Sequence, residues 1–282
     1  MDHSPQRTRS NVAIVTGGAR GIGFGIGTCL AAAGYRVALW DRDGEGAERA
    51  AAELRRGGTT AFGMRCDVAS YESIEQATQR TEAELGIASL LVNNAATRHR
   101  APLEDLPKAD WDEEVAVNLS GVFYCTQIIG RRMLGAGHGS IINIASLGAN
   151  SGLALRGAYT PTKAGVLGLT MLTAVEWGAR GIRCNAISPG IVASPGNADV
   201  YASDALTAGR RSFVPLGRLG TAEDIGDVVV FLDSDAARYI NGVNIPVDGG
   251  ASHALVSLYP TIGPDGSHLP SALAALPRKI PD

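Results

Sequence analysis

The sequence predicts a doubly wound α/β fold, a parallel sheet of about seven strands with helices on both faces, and three observations carry that reading. Short aliphatic runs alternate with helix-length segments along the chain, as a parallel sheet with crossover helices requires. A glycine-rich turn, Thr16-Gly17-Gly18-Ala19-Arg20-Gly21-Ile22-Gly23, joins the first such run to the first such segment. No proline- or serine-rich linker, charge block or repeat divides residues 11–250. With 45% hydrophobic residues, the 282 residues therefore fit one large core better than two, and the 36 glycines fit tight βα turns better than disorder.

Val12-Ala13-Ile14-Val15 reads as a short buried parallel strand. The glycine turn follows it, and Phe24 to Ala33 then form a proline-free, helix-compatible segment. Strand, glycine turn and helix in that order place backbone N–H groups and the positive helix end where a pyrophosphate can sit. The spacing is Gly-x-x-x-Gly-x-Gly, which departs from the Gly-x-Gly-x-x-Gly dinucleotide fingerprint. A glycine turn that only lets a helix pack on a sheet is the alternative for this loop taken alone.

Tyr35-Arg36-Val37-Ala38-Leu39-Trp40 reads as the second strand and ends at Asp41, 18 residues after Gly23. A carboxylate there can accept hydrogen bonds from both ribose hydroxyls of an adenosine while repelling a 2′-phosphate, which favours NAD over NADP. Arg20, inside the loop, and Arg42, after Asp41, could each meet a phosphate, so NADP stays open. The plainer reading of Asp41 is a turn residue at a strand end.

A second constellation is chemical. Ser140-Ile141-Ile142-Asn143-Ile144-Ala145 is strand-like and runs into Ser146; Tyr159 lies 13 residues on, and Lys163 four after that. Four residues are one helical turn, so both side chains can project from one face. A phenol ordinarily titrates near ~10, too high for a base at neutral pH. A neighbouring lysine cation, and a bound nicotinamide cation, favour the phenolate. The pair suits proton transfer to or from an alcohol, with Ser146 holding the substrate oxygen. Pro161 fits a helix only in its first turn.

These motifs, with Asn93-Asn94-Ala95-Ala96, Asn118, Ser188-Pro189-Gly190, Pro215-Leu-Gly-Arg-Leu-Gly220 and Val247-Asp-Gly-Gly250, resemble the short-chain dehydrogenase/reductase family. The likeness is to its single-domain members of the 3-oxoacyl reductase and secondary-alcohol dehydrogenase kind, and it runs from about Asn11 to Gly250. It implies a Rossmann-type sheet and a role for each matching residue. Tyr159 would be the general acid/base. Lys163 would lower the pKa of that tyrosine and bind the nicotinamide ribose. Ser146 would orient the substrate, and Asn118 would hold a water in the proton relay. Gly17, Arg20, Gly21, Ile22, Gly23 and Asp41 would bind the cofactor, with Asp67 and Val68 at its adenine. Asn94, Ala95 and Pro189, Gly190, Ile191 and Ser194 would complete that site, the last two residues at the carboxamide. Asn93 would support the fourth strand and the cofactor. Ala96 stands where the family more often has glycine, and Ser194 replaces the usual threonine while keeping the hydroxyl.

Net charge is −3, with no basic stripe, so no nucleic-acid partner is expected. No apolar run approaches ~18 residues, so no membrane span is expected either. The polar start, residues 1–10, reads as a flexible segment and not a secretory leader, which points to the cytoplasm. Cys29, Cys66, Cys125 and Cys184 lie far apart in apolar contexts and are expected to be buried free thiols. The histidines lack metal-ligand spacing, so no metal is expected.

Residues after Asn93-Asn-Ala-Ala96 and after Ser146 are expected to rim the substrate pocket. Among them Thr97, Arg98, His99, Gly148, Asn150 and Arg156 include three cationic or potentially cationic groups, suited to an anionic or polyhydroxylated substrate. Residues 194–214, with Tyr201 and Arg210-Arg211, fall where the family carries a substrate-covering segment. The extension 251–282 holds five prolines and can form neither a long helix nor a central strand. It is expected to be disordered or anchored through Leu255, Val256, Leu258 and Tyr259. The segments Trp111 to Met133 and Tyr159 to Trp177 carry more apolar residues (Val115, Val117, Val122, Phe123, Ile128; Val166, Leu167, Leu169, Leu172) than one sheet-facing side needs. In this family the matching helices pair across a two-fold axis, which implies a homotetramer.

The expected activity is interconversion of a secondary alcohol and a ketone by hydride transfer with a nicotinamide cofactor. An NAD-dependent dehydrogenase of a sugar, polyol or cyclic alcohol is favoured over an NADPH-dependent 3-oxoacyl thioester reductase. A non-catalytic dinucleotide sensor would have no use for Ser146, Tyr159 and Lys163. A lyase or epimerase on a similar fold would need a larger substrate domain.

Overall fold

The computed structural model describes residues 11–193, 204–254, 261–262 and 267–269. One seven-stranded sheet forms the centre. Its strands are β1 (Val12–Thr16), β2 (Arg36–Asp41), β3 (Ala61–Arg65), β4 (Leu90–Asn93), β5 (Gly139–Ile144), β6 (Ile182–Pro189) and β7 (Asn244–Val247). The spatial order is β3-β2-β1-β4-β5-β6-β7, and every pairing is parallel. The order in which successive strands are added reverses between β1 and β4, the place where a crevice opens above the carboxyl ends of the strands.

Alternation along each strand divides the side chains between two cores. Ala13 and Val15 of β1, Val37 and Leu39 of β2, and Ile142 of β5 face one side. There they meet Ile26 and Leu30 of α1 (Gly21–Ala32), Leu54 of α2 (Gly44–Arg56) and Ile225 and Val229 of α8 (Ala222–Asp233). Val12, Ile14, Ala38, Trp40 and Ile141 face the other side. They pack on Ile74 of α3 (Tyr71–Leu85), Ile128 and Met133 of α5 (Gly121–Ala136) and Ala174 of α6 (Tyr159–Trp177). A period of two on a sheet covered on both faces accounts for the nearly continuous apolar runs in the sequence. Helices α1 and α8 approach closely because Gly25 and Gly226 carry no side chain. A Cβ on Gly25 would lie 2.3 Å from that of Ala222, and one on Gly226 would lie 2.5 Å from the Cys29 sulfur.

Several expectations are corrected here. Helix α1 begins at Gly21, not Phe24, because the end of the glycine turn is itself the first helical turn. The segment from Trp111 is not one helix. It comprises α4 (Lys108–Val115), a π turn (Ala116–Ser120) and α5, and the widened turn brings Asn118 fully inside. Val122, Ile128 and Val166, counted above as surplus apolar residues, are buried in the protein's own core. Phe123 and Leu172 are exposed, as are Met171 and Val175. Cys29 is half-buried, whereas Cys66, Cys125 and Cys184 are buried, all four as free thiols. Helix α7 (Asp204–Ser212) lies within the 194–214 segment. In the extension, β8 (Thr261–Ile262) and β9 (His268–Leu269) form an antiparallel pair apart from the main sheet. Residues 1–10, Ser194, Tyr201 and Leu255 to Tyr259 lie outside the described residues. Among the described residues no helix is long and apolar enough to cross a membrane.

Candidate active site

A cavity of about 500 Å³ opens above the carboxyl ends of β1, β2 and β4. Gly17, Arg20, Gly21, Ile22, Asp41, Asp67, Val68, Asn94, Ala95, Arg98 and Tyr159 line it, so eleven of the expected site residues converge there. Thr16 fixes the centre. Its hydroxyl accepts the N–H groups of Asn94 and Ala95, both at 3.0 Å, and the Asn94 amide donates back to Thr16 O at 2.9 Å and Gly17 O at 3.1 Å. The glycine loop is thereby stitched to the end of β4.

Gly17 has φ +65°, a left-handed conformation that suits glycine, and a Cβ there would press on Ala95 Cα at 2.9 Å. A Cβ at Gly23 would lie 2.1 Å from Gly17 O, so only glycine lets α1 close on the loop. No side chain caps the first turn of α1, whose unanswered N–H groups and positive dipole end suit an anion. Asp41 is pre-oriented: one carboxylate oxygen accepts Ala19 N–H at 3.1 Å and the other Asp43 N–H at 3.0 Å. Each oxygen keeps a lone pair for a ribose hydroxyl. Arg42 lines the same cavity and pairs there with Glu113 at 3.6 Å. Loop, helix end and carboxylate together fit a dinucleotide with its pyrophosphate at the glycines and its adenosine ribose at Asp41.

Tyr159 opens α6 and is half-buried at the far wall of this cavity. Pro161 falls in the first turn, where a missing N–H costs nothing. Lys163, one turn on, is 2% exposed and donates from Nζ to Ile144 O at 2.7 Å. Its Nζ lies 5.8 Å from the Tyr159 ring centroid, and burial pushes its ammonium down to about 8. Ser146 lies two residues beyond the end of β5, and its Oγ accepts the Gly148 N–H at 3.0 Å, leaving the hydroxyl proton to donate. Pro189 ends β6, the strand next to β5, and Gly190 and Ile191 follow.

Other expected residues do not reach the cavity. Asn93 is buried and bonded to Asn143 at 2.8 Å and Thr126 at 3.2 Å, so it joins β4 to β5 and α5 and does not line the cavity. Asn118 contacts the main chain of Thr97, not the cavity itself. Gly148 is buried under Leu153, while Asn150 is exposed. Arg156 lines a neighbouring hollow with Arg100.

Two residues at the site were passed over in the sequence. Arg100 shares the short basic run Arg98-His99-Arg100 and could have been noticed there. Glu114 had no such signal, since its acidic surroundings suggest a solvated helix face. It is fully buried, one oxygen accepts the His99 N–H at 2.5 Å, and burial raises its pKa.

The family model described as enoyl-(acyl carrier protein) reductase matches residues 17–252. The chain is 41% identical over 247 residues to the D-threitol dehydrogenase of Mycolicibacterium smegmatis, covering 86% of this chain and 94% of that protein. It is 38% identical over 249 residues to the 2-dehydro-3-deoxy-D-gluconate 5-dehydrogenase of Bacillus subtilis, with 88% and 97% covered. Among solved structures it is similar to a gluconate 5-dehydrogenase from Burkholderia cenocepacia in complex with NADP and tartrate. The TM-score is 0.81 at 34% identity, over 86% of this chain and 95% of that one. With the parallel sheet and the site geometry in agreement, the chain belongs to the short-chain dehydrogenase/reductase family and is an NAD(P)-dependent oxidoreductase acting on CH–OH groups.

Proposed function

We propose that this chain is an NAD-dependent dehydrogenase of a sugar, polyol or cyclic alcohol. The observation that carries the reading is a single cavity holding both the oriented Asp41 carboxylate and the Tyr159 ring, with Lys163 beneath. A nicotinamide bound in this cleft supplies the hydride acceptor or donor. Tyr159 takes the hydroxyl proton of the alcohol during oxidation and returns it during reduction. Lys163 favours the phenolate and, anchored to the end of β5, holds the nicotinamide ribose. Ser146 donates its hydrogen bond to the substrate oxygen and fixes the face presented to the cofactor.

Asp41 supports NAD because a 2′-phosphate there would meet a fixed carboxylate, and the nearby Arg42 is drawn toward Glu113. The solved relative holding NADP keeps the second cofactor in play, so both belong in the assay. Relatives named for threitol and a deoxygluconate favour polyhydroxylated alcohols over thioesters. The free thiols suit a reducing cytoplasm, and the exposed apolar residues of α5 and α6 suit a homotetramer.

The test is a panel of alcohols and ketones read as absorbance of reduced nicotinamide with NAD and NADP. One alcohol class must turn over, and Tyr159→Phe must lower that turnover by at least ~10²-fold, the lower end for general acid–base catalysis. Near-normal turnover in Tyr159→Phe overturns the mechanism. Cofactor binding, followed by nucleotide fluorescence, should change little in that variant.

A further inference from the structure

Three arginines stand in the cavity wall and in the hollow beside it, and among the described residues no carboxylate pairs with them. Arg98 lines the cavity with Tyr159. Arg100 and Arg156 line an adjoining hollow of about 430 Å³, with Pro102 and Leu155 in its wall. Among the described residues none of the three side chains makes an ion pair or hydrogen bond, and the nearby acids are already engaged. Glu113 takes His99 at 3.0 Å and Arg42 at 3.6 Å, Asp110 takes His99 at 3.5 Å, and Glu114 accepts the His99 N–H through one oxygen while its other, buried oxygen has no hydrogen-bond partner among the described residues.

Arg98 and Arg100 are exposed, and Arg156 is half-buried. Arg156 is pushed below the usual guanidinium range, by burial first and then by the fields of Arg98, Arg100 and Arg210 on α7. Leu155, immediately before Arg156, has φ +59°, a left-handed conformation that a bulky side chain rarely takes and that tends to persist at functional sites. Tyr159 stands three residues after Arg156. Like charges gathered at a partly desolvated site repel one another until an oxyanion joins them, and planar guanidiniums match carboxylate or phosphate in a two-pronged fit. The pyrophosphate of a dinucleotide does not fill this role at Arg100 and Arg156. It belongs at the glycine loop, whose residues line the cavity but not the adjoining hollow.

We propose that the substrate is an alcohol bearing an oxyanion, a carboxylate or a phosphate, which seats among Arg98, Arg100 and Arg156 while its secondary hydroxyl reaches Tyr159. This rests on the dehydrogenase reading above and narrows its substrate. Specificity would come from the anion, placed away from the reacting carbon, and the sugar-like part would need few contacts of its own.

The test uses the full-length protein with NAD and NADP and three arms of matched carbon number: aldonates, alditol phosphates and neutral alditols. One anionic arm is expected to exceed its neutral counterpart by at least tenfold in kcat/KM, identifying carboxylate or phosphate as the group recognised. Arg100→Gln and Arg156→Gln are each expected to narrow that ratio through KM of the anion, whereas a structural defect would lower both arms together. In parallel, the melting temperature with NAD present and each compound added reads binding without turnover. Neutral alditols oxidised as well as the anions would overturn the oxyanion inference and leave the dehydrogenase reading standing. Anion-dependent stabilisation lost in both variants, with no alcohol oxidised, would uphold the arginine site and overturn the dehydrogenase reading. Neither turnover nor stabilisation would overturn both.

Discussion

Asn118 and Thr97 are bound to each other in both directions. The Asn118 carbonyl oxygen accepts the Thr97 N–H at 2.8 Å, and the Asn118 amide donates to Thr97 O, also at 2.8 Å. The π turn between α4 and α5 thus holds the loop that follows β4, and with it the wall carrying Arg98. Asn118→Ala leaves two main-chain groups unanswered at a buried site, which should cost about 1–3 kcal/mol. Urea denaturation reads that loss. Steady-state kinetics should show a raised KM, because the wall is no longer fixed. An unchanged denaturation midpoint would show that the pair carries no structural weight.

The Lys163 ammonium gives a prediction with a definite sign. Burial holds it near about 8, whereas an unfolded lysine titrates near ~10.4, so the native state gives up this proton first as pH rises. Below about pH 8 the buried charge opposes folding by about 3 kcal/mol, and that penalty is relieved progressively as pH rises toward ~10.4. The stability difference between wild type and Lys163→Met should therefore shift toward wild type across this window. A difference constant with pH would contradict the buried cation. NAD affinity of the free wild-type protein should weaken as pH passes about 8, while that of the variant stays flat. Oxidation by the variant should also need a higher pH, since the phenolate has lost its cation.

Cofactor choice is carried by Asp41. The wild-type protein should prefer NAD by kcat/KM, and Asp41→Ala should narrow the preference, because the carboxylate both accepts the ribose hydroxyls and repels a 2′-phosphate. A wild-type preference for NADP would refute this. Arg20 and Arg42, which both line the cavity, are the groups that would then meet the phosphate.

Assembly is read from α5 and α6. Phe123 on α5 and Met171, Leu172 and Val175 on α6 are each exposed, and Val175 is 82% exposed. Light scattering after size exclusion should give a tetramer for the full-length chain, and Leu172→Glu with Val175→Glu should break it into smaller species. A monomeric wild type would rule out pairing through these helices. Cutting the chain after His253 tests the extension separately: an unchanged tetramer removes it from assembly.

The reaction class was legible because its chemistry is written in short, ordered motifs. The glycine turn, Asp41, Ser146 and the Tyr159–Lys163 pair are each local patterns, and the fold gathers them at the carboxyl edge of one sheet. What escaped the sequence was whatever depends on how elements rotate against each other. Asn93 and Asn94 are neighbours in one motif, yet one faces the interior of the sheet and the other the cavity. That is the period of a strand, and which face holds the ligand is a matter of tertiary placement. Glu114 sits in an acidic run indistinguishable from a solvated helix, and only the fold puts it inside. Apolar excess likewise says nothing about destination, so Val166 went to the core and Val175 to the surface.

The near-contact of α1 with α8 constrains how this sequence can change. Gly25→Ala alone sets two methyl groups 2.3 Å apart, whereas with Ala222→Gly the nearest remaining atoms are at 3.2 Å and 3.3 Å. The two positions, 197 residues apart in the chain, therefore form one epistatic unit. Alanine is tolerated at either site only while glycine occupies the other. An intermediate bearing both methyls must spread the helix whose amino end forms the anion cradle, so drift at this contact is channelled through a single order of substitutions.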